Sequence, residues 1–494
     1  MVFKSTMGDV AIPETVDMHQ IVFSGYKKHL NRYAMIDAAT GATVTYAELI
    51  KKVDHLSAAL HGELALQKWD VVGVFAPNHI QFPVVIHAVI KAGGSVSPAN
   101  PTYNVDELAY QLKDSRAKYL FVHPTFIATA SAAAAKVGIP ESRIILFDDG
   151  PVNKSGGRFR SISQISDANY VPAPVVKFSR QEIKEQPAYL CYSSGTTGLS
   201  KGVQTTQYNV IANILQYDKF QEKAKDLREG DVWTGVLPFF HIYGLTISLH
   251  ICFHRGYTLV VFPKFELPLF LTSLAKYNVT TAQIVPPIAL ALAKHPMVDQ
   301  FKFPKLRGLM SGAAPLAPEL VTAIHKRLGV TLFQAYGLTE TSPAATIMPI
   351  ALALKYPKSI GLLIPSVEAR LVNPDTEKDV GFNKEGELWL RGPNIMKGYH
   401  NNPTATANSI DKDGWFHTGD IAVVDENILF YTIDPLEGID QVQRPSTSRA
   451  ELEAYLLKHP AVANAAVTGQ PDEADSEVPR AYDVLKVGLE PMSC

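Results

Sequence analysis

Short β-branched runs alternate with longer helical patterns along most of this 494-residue chain. A strand–helix–strand order joins parallel strands, and it therefore predicts an α/β fold: a large N-terminal domain of parallel sheets covered by helices. The predicted helices lie at 82–91, 209–215, 268–277 and 318–328. The predicted strands lie at 71–75, 119–122, 144–147, 188–192, 258–262, 281–285, 306–310 and 331–334.

The pattern changes after Ile360. Runs at 367–372, 386–391 and 421–432 predict short antiparallel strands, a small β region that completes the large domain. We expect this domain to span 1–433.

A hinge is predicted at about Asp434, because Pro435, Gly438 and Pro445 break local structure there. The segment 434–494 is then the hinge and a partial α+β C-terminal domain. Its predicted elements are a helix carrying Ala450, Leu452, Leu456 and Leu457, and strands at 462–467 and 482–487.

Composition narrows the class of protein. Hydrophobic residues make up 46% and charged residues 19%, which indicates a globular chain, and a net charge of -2 gives no general attraction to nucleic acid. The three cysteines have no metal-ligand spacing, which favours a reducing compartment. No signal-peptide core or membrane-spanning run is found, so we expect a cytoplasmic protein, and the last three residues, Met-Ser-Cys, do not support peroxisomal import.

The segment from Tyr192 to Val203 reads YSSGTTGLSKGV and follows a predicted strand. Glycines let backbone N–H groups approach an anion, while the hydroxyls and Lys201 add donors and positive charge. The spacing is not that of a Walker loop. A flexible surface linker has a similar composition, but four further motifs favour a phosphate site. Its candidate groups are Ser193, Ser194, Gly195, Thr196, Thr197, Gly198 and Lys201.

Two segments predict the walls of a substrate cavity. The first, Leu237–Gly244, places His241 and Tyr243 among aromatic residues; an isolated histidine there is often only a packed core residue, but a cavity wall would suit it. The second, Met310–Leu316, is rich in small residues, which are typical of a tight turn and also leave room for a flat ring. Candidate lining residues of an apolar acid pocket are Tyr243, residues 283–287, Ala313 and Ala335.

Two more segments complete the set. In Gln334–Glu340, Tyr336 is suited to stack on a base, Thr339 to donate to phosphate and Glu340 to bind a Mg²⁺ ion that bridges polyphosphate oxygens. In the run WFHTGD, Asp420 by itself is typical of a turn, but its carboxylate can also accept both hydroxyls of a ribose.

In this order and at these separations, the five segments resemble those of the acyl-adenylate-forming superfamily, which includes acyl-CoA and 4-coumarate:CoA ligases, luciferase and the adenylation domains of nonribosomal peptide synthetases. The resemblance covers about 41–434 and, more weakly, 450–487. Pro98–Tyr103 and His241–Gly244 are most similar to the coumarate-ligase and luciferase branch.

The resemblance implies a two-step reaction that uses ATP, Mg²⁺ and coenzyme A. A carboxylate attacks the α-phosphorus of ATP and releases pyrophosphate, and a thiol then displaces AMP. The implied roles are pyrophosphate binding by Lys201 and residues 193–198, and nucleotide binding by Ala313, Gln334, Ala335, Tyr336 and Gly337, with Ala313 and Tyr336 on either side of adenine. The resemblance also implies α-phosphate contact by Thr339, Mg²⁺ binding by Glu340, ribose binding by Asp420, carboxylate guidance by His241 and coenzyme A binding by Lys264.

Two departures from the family pattern alter these expectations. The hinge reads Asp434-Pro-Leu-Glu437 where the family has Asp-Arg-x-Lys, and Gln441, Gln443 and Arg444 replace its lysines and glycine. Pro435 cannot donate to ribose, and a lost charge-assisted hydrogen bond costs about 1.5–3 kcal/mol. The sequence also ends at Cys494, before the Gly-Lys loop of the family. The absence of that lysine is expected to slow adenylation ~10²–10³-fold.

The leading hypothesis is an acyl-CoA ligase for an aryl or short to medium-chain acid. Ala335 stands where relatives often have glycine, and its methyl group favours planar aromatic or short acids. Two alternatives stay open. One is a catalytically impaired protein that binds a nucleotide or acyl-adenylate, and the other is an adenylation enzyme that loads a carrier-protein thiol. Neither nucleic acid nor a membrane is an expected partner.

Overall fold

The computed structural model describes residues 1–148, 157–166, 171–193, 200–226, 228–314, 316–433, 462–472 and 476–485. Its helices are α1 (Met18–Val22), α2 (Tyr46–Gly62), α3 (Phe82–Lys91), α4 (Val105–Asp114), α5 (Ile127–Val137), α6 (Ile162–Ser166), α7 (Arg180–Glu185), α8 (Gln207–Ala224), α9 (Cys252–His254), α10 (Leu267–Lys276), α11 (Pro286–Lys294), α12 (Pro318–Leu328), α13 (Ile350–Ala353) and α14 (Pro403–Ser409). A π-helix spans Tyr243–Ile251, and 3₁₀ turns span Tyr26–Lys28, Pro124–Phe126, Glu141–Arg143, Pro296–Gln300 and Thr339–Thr341.

The strands are β1 (Phe3–Lys4), β2 (Tyr33–Asp37), β3 (Thr43–Thr45), β4 (Val71–Phe75), β5 (Ser95–Ala99), β6 (Ala117–Val122), β7 (Ile144–Leu146), β8 (Arg160–Ser161), β9 (Pro187–Ser193), β10 (Lys201–Thr206), β11 (Val232–Gly235), β12 (Thr258–Val261), β13 (Thr281–Ile284), β14 (Gly308–Ser311), β15 (Thr331–Gly337), β16 (Ala344–Ile347), β17 (Leu362–Leu363), β18 (Glu368–Val372), β19 (Gly386–Arg391), β20 (Gly398–Tyr399), β21 (Phe416–Val424), β22 (Phe430–Ile433), β23 (Val462–Asp472) and β24 (Ser476–Leu485).

Two large sheets form most of the molecule. One has eight strands in the order β20-β10-β9-β5-β4-β6-β7-β8, and the other has nine in the order β17-β16-β15-β14-β13-β11-β12-β2-β3. Within each sheet the central strands run parallel, and the antiparallel pairs lie toward the edges. The predicted α/β class, with parallel sheets covered by helices, is confirmed.

A third sheet of five strands, in the order β1-β18-β19-β21-β22, is antiparallel throughout and confirms the small β region. One detail of the prediction is wrong. The run 421–432 is not one strand, because Asp425 accepts hydrogen bonds from the backbone N–H groups of Asn427 and Leu429 and closes a turn between β21 and β22. Such a side-chain-capped turn interrupts an otherwise apolar run.

Both large sheets contribute to one apolar core. Helix α3 is buried at every residue from Phe82 to Ile90, as expected for a helix enclosed by other elements on all sides. Helix α8 begins at a capping box in which the Thr206 side chain accepts from the Asn209 N–H and the Asn209 side chain accepts from the Thr206 N–H. No helix in the described part of the chain combines the length and the apolarity needed to span a bilayer.

Strands β23 and β24 form an antiparallel hairpin, with Val467 paired to Ala481. They confirm the two strands predicted in the C-terminal segment. The predicted hinge at 434–445 and the predicted helix at 450–457 lie outside the described residues.

Candidate active site

The parallel pairing of β14 with β15 brings two of the predicted segments together. Ser311 pairs with Gln334, so the turn after β14 lies beside residues 335–340. Gly337 has a steric reason to be glycine, because a Cβ there would overlap the carbonyl oxygen of Pro343. This close approach fixes the chain just before the 3₁₀ turn that carries Thr339 and Glu340.

Glu340 lies at the centre of a cluster that we call the Glu340 group: Ser193, Lys201, Glu340 and Tyr399. The Tyr399 hydroxyl donates to Glu340 Oε1 at 2.9 Å, and the Ser193 hydroxyl donates to the same oxygen at 3.3 Å. Lys201 Nζ lies 5.0 Å from the centre of the Tyr399 ring. Burial raises the pKa of Glu340, and the two hydroxyls and Lys201 oppose that rise.

This geometry suits a magnesium ion that also binds phosphate oxygens. Both hydroxyl donors use Oε1, and among the described residues no other side chain donates to Oε2. In the same part of the chain, no group of three or more histidine, cysteine, aspartate or glutamate residues could hold a metal ion. Mg²⁺ commonly binds through one or two carboxylates plus substrate phosphates rather than through a full protein cage, so a single buried carboxylate beside Lys201 fits it.

Tyr336 and Asp420 form a second polar contact. The tyrosine hydroxyl donates to Asp420 Oδ2 at 2.5 Å, and burial raises the pKa of the Asp420 carboxyl. Tyr336 lies in β15 and Asp420 in β21. The contact therefore joins the nine-stranded sheet to the five-stranded one, and it leaves Asp420 Oδ1 without a side-chain donor among the described residues.

His241 lies just before the π-helix. Its Nδ1 accepts the Tyr243 N–H at 3.3 Å, which places the imidazole proton on Nε2. Burial lowers the pKa of His241 to about 4, so the ring is neutral at pH 7 and is a hydrogen-bond donor rather than a cation. Gly244 allows this turn, because a Cβ there would overlap the carbonyl oxygen of Pro238.

Tyr243 connects this turn to the strand ends. Its hydroxyl donates to the Met310 carbonyl at 3.1 Å. A Cβ at Gly312 would lie 3.2 Å from the Tyr243 ring and 3.3 Å from the Ala335 carbonyl oxygen. Three of the predicted segments thus meet at one wall, and Ala335 directly precedes Tyr336 in β15.

The remaining predicted residues are placed less directly. Ala313 adopts a left-handed conformation with φ of 71°, which is strained for alanine and frequent at functional sites. The buried Gln334 side chain donates to the Pro357 carbonyl at 2.9 Å. Lys264 is 78% exposed and pairs with Glu266 at 2.6 Å, so it makes no ion pair with the Glu340 group. Residues 194–198 of the predicted phosphate loop lie outside the described residues. All the site roles stay predictions.

Sequence reasoning missed Tyr399. This residue belongs to a two-residue strand, β20, and reaches Glu340 only because β20 pairs with β10. Nothing local in the sequence marks it. Sequence reasoning also assigned Gln283 only to the lining of the apolar pocket. Both polar atoms of this fully buried side chain lack a hydrogen-bond partner among the described residues.

Comparison with known proteins identifies the family of the chain. Residues 24–400 match the family described as AMP-binding enzyme, and residues 451–493 match the AMP-binding enzyme C-terminal domain. The chain is 34% identical over 495 residues to a probable 4-coumarate–CoA ligase 1 of Dictyostelium discoideum, covering 98% of this chain and 88% of that protein. It is 35% identical to 4-coumarate–CoA ligase 2 of Oryza sativa subsp. japonica, covering 98% and 86%.

Solved structures show the same fold. A long-chain-fatty-acid-CoA ligase from Archaeoglobus fulgidus aligns with a TM-score of 0.80 at 26% identity, covering 97% of this chain and 92% of that one. ATP-bound MatB from Rhodopseudomonas palustris aligns with a TM-score of 0.76 at 25% identity, covering 97% and 90%.

The chain belongs to the AMP-binding enzyme family. Within that family it falls in the class of ATP-dependent, AMP-forming acid–thiol ligases, whose cofactors are ATP, Mg²⁺ and coenzyme A. The recognition made from the five sequence segments is confirmed.

Proposed function

We propose that this protein is a CoA ligase that activates a planar aromatic acid with a polar ring substituent. The observation that carries the proposal is the shared strand β15. The segment that starts in this strand carries Tyr336 and Glu340, which make the hydrogen bonds on the polar side of the site. The same strand carries Ala335, whose carbonyl lies at the wall formed by Gly312 and Tyr243. A nucleotide and an acid bound on these two sides would react next to each other.

In the first step the acid carboxylate attacks the α-phosphorus of ATP, the bond to the pyrophosphate oxygen breaks, and pyrophosphate leaves. Lys201 carries the positive charge that favours this leaving group. His241 is neutral and protonated on Nε2, so it orients the carboxylate through a hydrogen bond without lowering its nucleophilicity as a full positive charge would. In the second step the coenzyme A thiolate attacks the acyl carbon and AMP leaves.

Gln283 supports a polar group on the acid. It is the register partner of Met310 in the parallel pair β13–β14, so the two side chains leave the same face of the sheet. A Cβ at Gly312, the residue that follows β14, would lie 3.2 Å from the Tyr243 ring. A buried amide without a partner costs about 1–3 kcal/mol, and a ring hydroxyl or ether on the bound acid would satisfy it.

The relatives agree with this substrate class, because two of them are named 4-coumarate–CoA ligases. The apolar part of the wall and the methyl group of Ala335 favour a flat ring over a bulky one.

The first test is acid-dependent pyrophosphate exchange with a matched pair of acids, 4-coumarate and cinnamate, which differ only by the ring hydroxyl. We expect kcat/KM to favour 4-coumarate by about 10-fold or more, because the missing hydroxyl leaves the Gln283 amide unpaired. In Gln283→Leu the preference should reverse or vanish while cinnamate activity is kept. Equal preference in both proteins would exclude the role of Gln283, and no exchange with either acid would exclude the proposed substrate class.

The second candidate is a protein that binds the nucleotide without turnover. It is favoured by the hinge sequence, where Pro435 and Glu437 replace the family's arginine and lysine. Calorimetry with ATP and Mg²⁺ separates the two functions. Nucleotide binding without pyrophosphate release in the presence of an acid panel supports this candidate, and a CoA thioester product excludes it.

A further inference from the structure

Two residues that border the predicted phosphate loop, Tyr192 and Ser200, are hydrogen bonded to the same helix, α4. Ser200 follows residues 194–199, and its carbonyl accepts the Tyr110 hydroxyl at 2.9 Å. Tyr192 precedes them by two residues, and its hydroxyl donates to Asp114 Oδ2 at 2.6 Å. Tyr110 and Asp114 lie four residues apart in α4, so they share one face of the helix.

The contact is tightly packed. The Tyr110 and Tyr192 rings meet edge to face, with centroids 6.4 Å apart. Tyr192 also covers Gly202, its partner in the β9–β10 pair, where a Cβ would lie 3.0 Å from the tyrosine ring. Burial, and then Asp114, raises the pKa of Tyr192, so its phenol keeps its proton and stays a donor at any physiological pH.

The same end of α4 also contacts the chain around β20. Asn401 Nδ2 donates to the Asp114 carbonyl at 3.0 Å, and the His400 N–H donates to the Gly202 carbonyl at 2.7 Å. Tyr399 in that segment donates to Glu340. Thus the C-terminal half of α4 is hydrogen bonded to residues on both sides of the predicted phosphate loop. It is also hydrogen bonded to Asn401, which follows β20, the strand that carries Tyr399.

We infer that Tyr110 and Asp114 are positioning residues for the polyphosphate of ATP. They hold Tyr192 and Ser200 in place, and these two residues directly adjoin Ser193 and Lys201 of the Glu340 group. Neither Tyr110 nor Asp114 is expected to touch the substrate. Their loss therefore weakens the binding of the β- and γ-phosphates and leaves adenosine monophosphate, which lacks them, bound as before. The inference rests on the use of ATP, and it does not depend on which acid is activated.

Calorimetry on the full chain tests the inference with three probes: ATP with Mg²⁺, inorganic tripolyphosphate and AMP. Tyr110→Phe should weaken binding of the first two about 3–10-fold and change AMP binding less than 2-fold. Asp114→Ala should act in the same way, and Asp114→Asn, which keeps an oxygen acceptor for Tyr192, should restore most of the affinity. In kinetics, KM for ATP should rise while KM for the acid stays constant.

Tyr119→Phe is the matched control. Like Tyr110→Phe, this change removes a hydrogen bond from a tyrosine hydroxyl to a backbone carbonyl, here that of Leu64 at 2.6 Å. Tyr119 lies in β6, away from the contacts of α4 with Tyr192 and Ser200. We expect it to lower thermal stability without changing the ratio of ATP to AMP affinity. The inference is overturned if Tyr110→Phe binds all probes as the parent does, or if it weakens AMP as much as ATP. If the parent protein itself binds no ATP, the proposed function fails as well.

Discussion

Two clusters of buried and half-buried polar side chains can be compared in this molecule. In the Glu340 group, each polar side chain is hydrogen bonded or lies near an opposite charge or an aromatic ring. The second, which we call the histidine group, consists of His19, His87, His250 and Tyr189. His87 lies 5.7 Å from His19 and 5.1 Å from His250, measured between ring centroids.

The histidine group is nearly without hydrogen bonds. Tyr189 and His250 share one at 2.7 Å. Within the described residues, both nitrogens of His87 and Nδ1 of His19 and His250 have no partner. Burial lowers the pKa of His19 and of His250 to about 3, with a smaller contribution from Lys91 at His19. Burial also lowers the pKa of His87 well below its ordinary value, with smaller contributions from His250 and His19. These rings act as neutral aromatic packing, whereas the Glu340 carboxylate accepts two hydrogen bonds.

The comparison predicts that acid acts on the two groups in opposite directions. A histidine whose folded-state pKa is lowered takes up its proton only in the unfolded chain as the pH falls below about 6.5. Each such histidine therefore lowers the free energy of unfolding by about 1.4 kcal/mol for each pH unit down to its folded pKa. The three histidines together should cost about 4 kcal/mol at pH 5.5 relative to pH 8.

Glu340 and Asp420 have raised pKa values, so their burial costs stability at neutral pH and is relieved as the pH falls through their folded pKa. This relief has the opposite sign to the loss caused by the histidine group, so the two contributions partly offset each other. Urea unfolding between pH 8 and pH 5.5, followed by circular dichroism, measures the net effect. A stability that does not fall over this range would contradict a dominant contribution from the histidine group.

The next largest effect is expected for Glu340→Gln. Glutamine keeps an oxygen that accepts from Tyr399 and Ser193, but it has no charge for Mg²⁺. We expect kcat for pyrophosphate exchange to fall ~10²–10³-fold, while the melting temperature stays the same or rises, because a desolvated carboxylate has been removed. Glu222→Gln, on the exposed surface of α8, should change neither quantity. Loss of both activity and stability in Glu340→Gln would mean that the carboxylate holds the fold together.

The same comparison explains what could be predicted from the sequence. Lys201 and Glu340 each lie in a short segment where glycine, hydroxyl and charge follow an apolar strand, and their predicted roles rest on that local pattern. Strand β4 and helix α3 were predicted with the same bounds that the structure shows, because each is a continuous and mostly apolar run.

Features made by distant elements could not be predicted in this way. Tyr399 reaches Glu340 through the pairing of β20 with β10, and His19, His87 and His250 come from α1, α3 and the π-helix. The sequence does not show that these three histidines, which lie far apart along the chain, are neighbours in the fold. Strand β5 was missed because it contains Pro98, a residue that normally argues against a central strand.

The smallest predicted effect sharpens the comparison at one residue. His87→Leu replaces a partnerless imidazole in α3 with an apolar side chain of similar volume, packed against Phe23 and Phe253. Because two buried nitrogens no longer lack partners, we expect the free energy of unfolding at pH 8 to rise by about 1–2 kcal/mol. The dependence of stability on pH should also become shallower by about 1.4 kcal/mol per unit below pH 6.5. His61→Leu, at a half-buried histidine of α2, is the control and should have a smaller effect on both quantities. A destabilised His87→Leu protein would show that the imidazole is hydrogen bonded in solution, and the contrast between the two groups would then be lost.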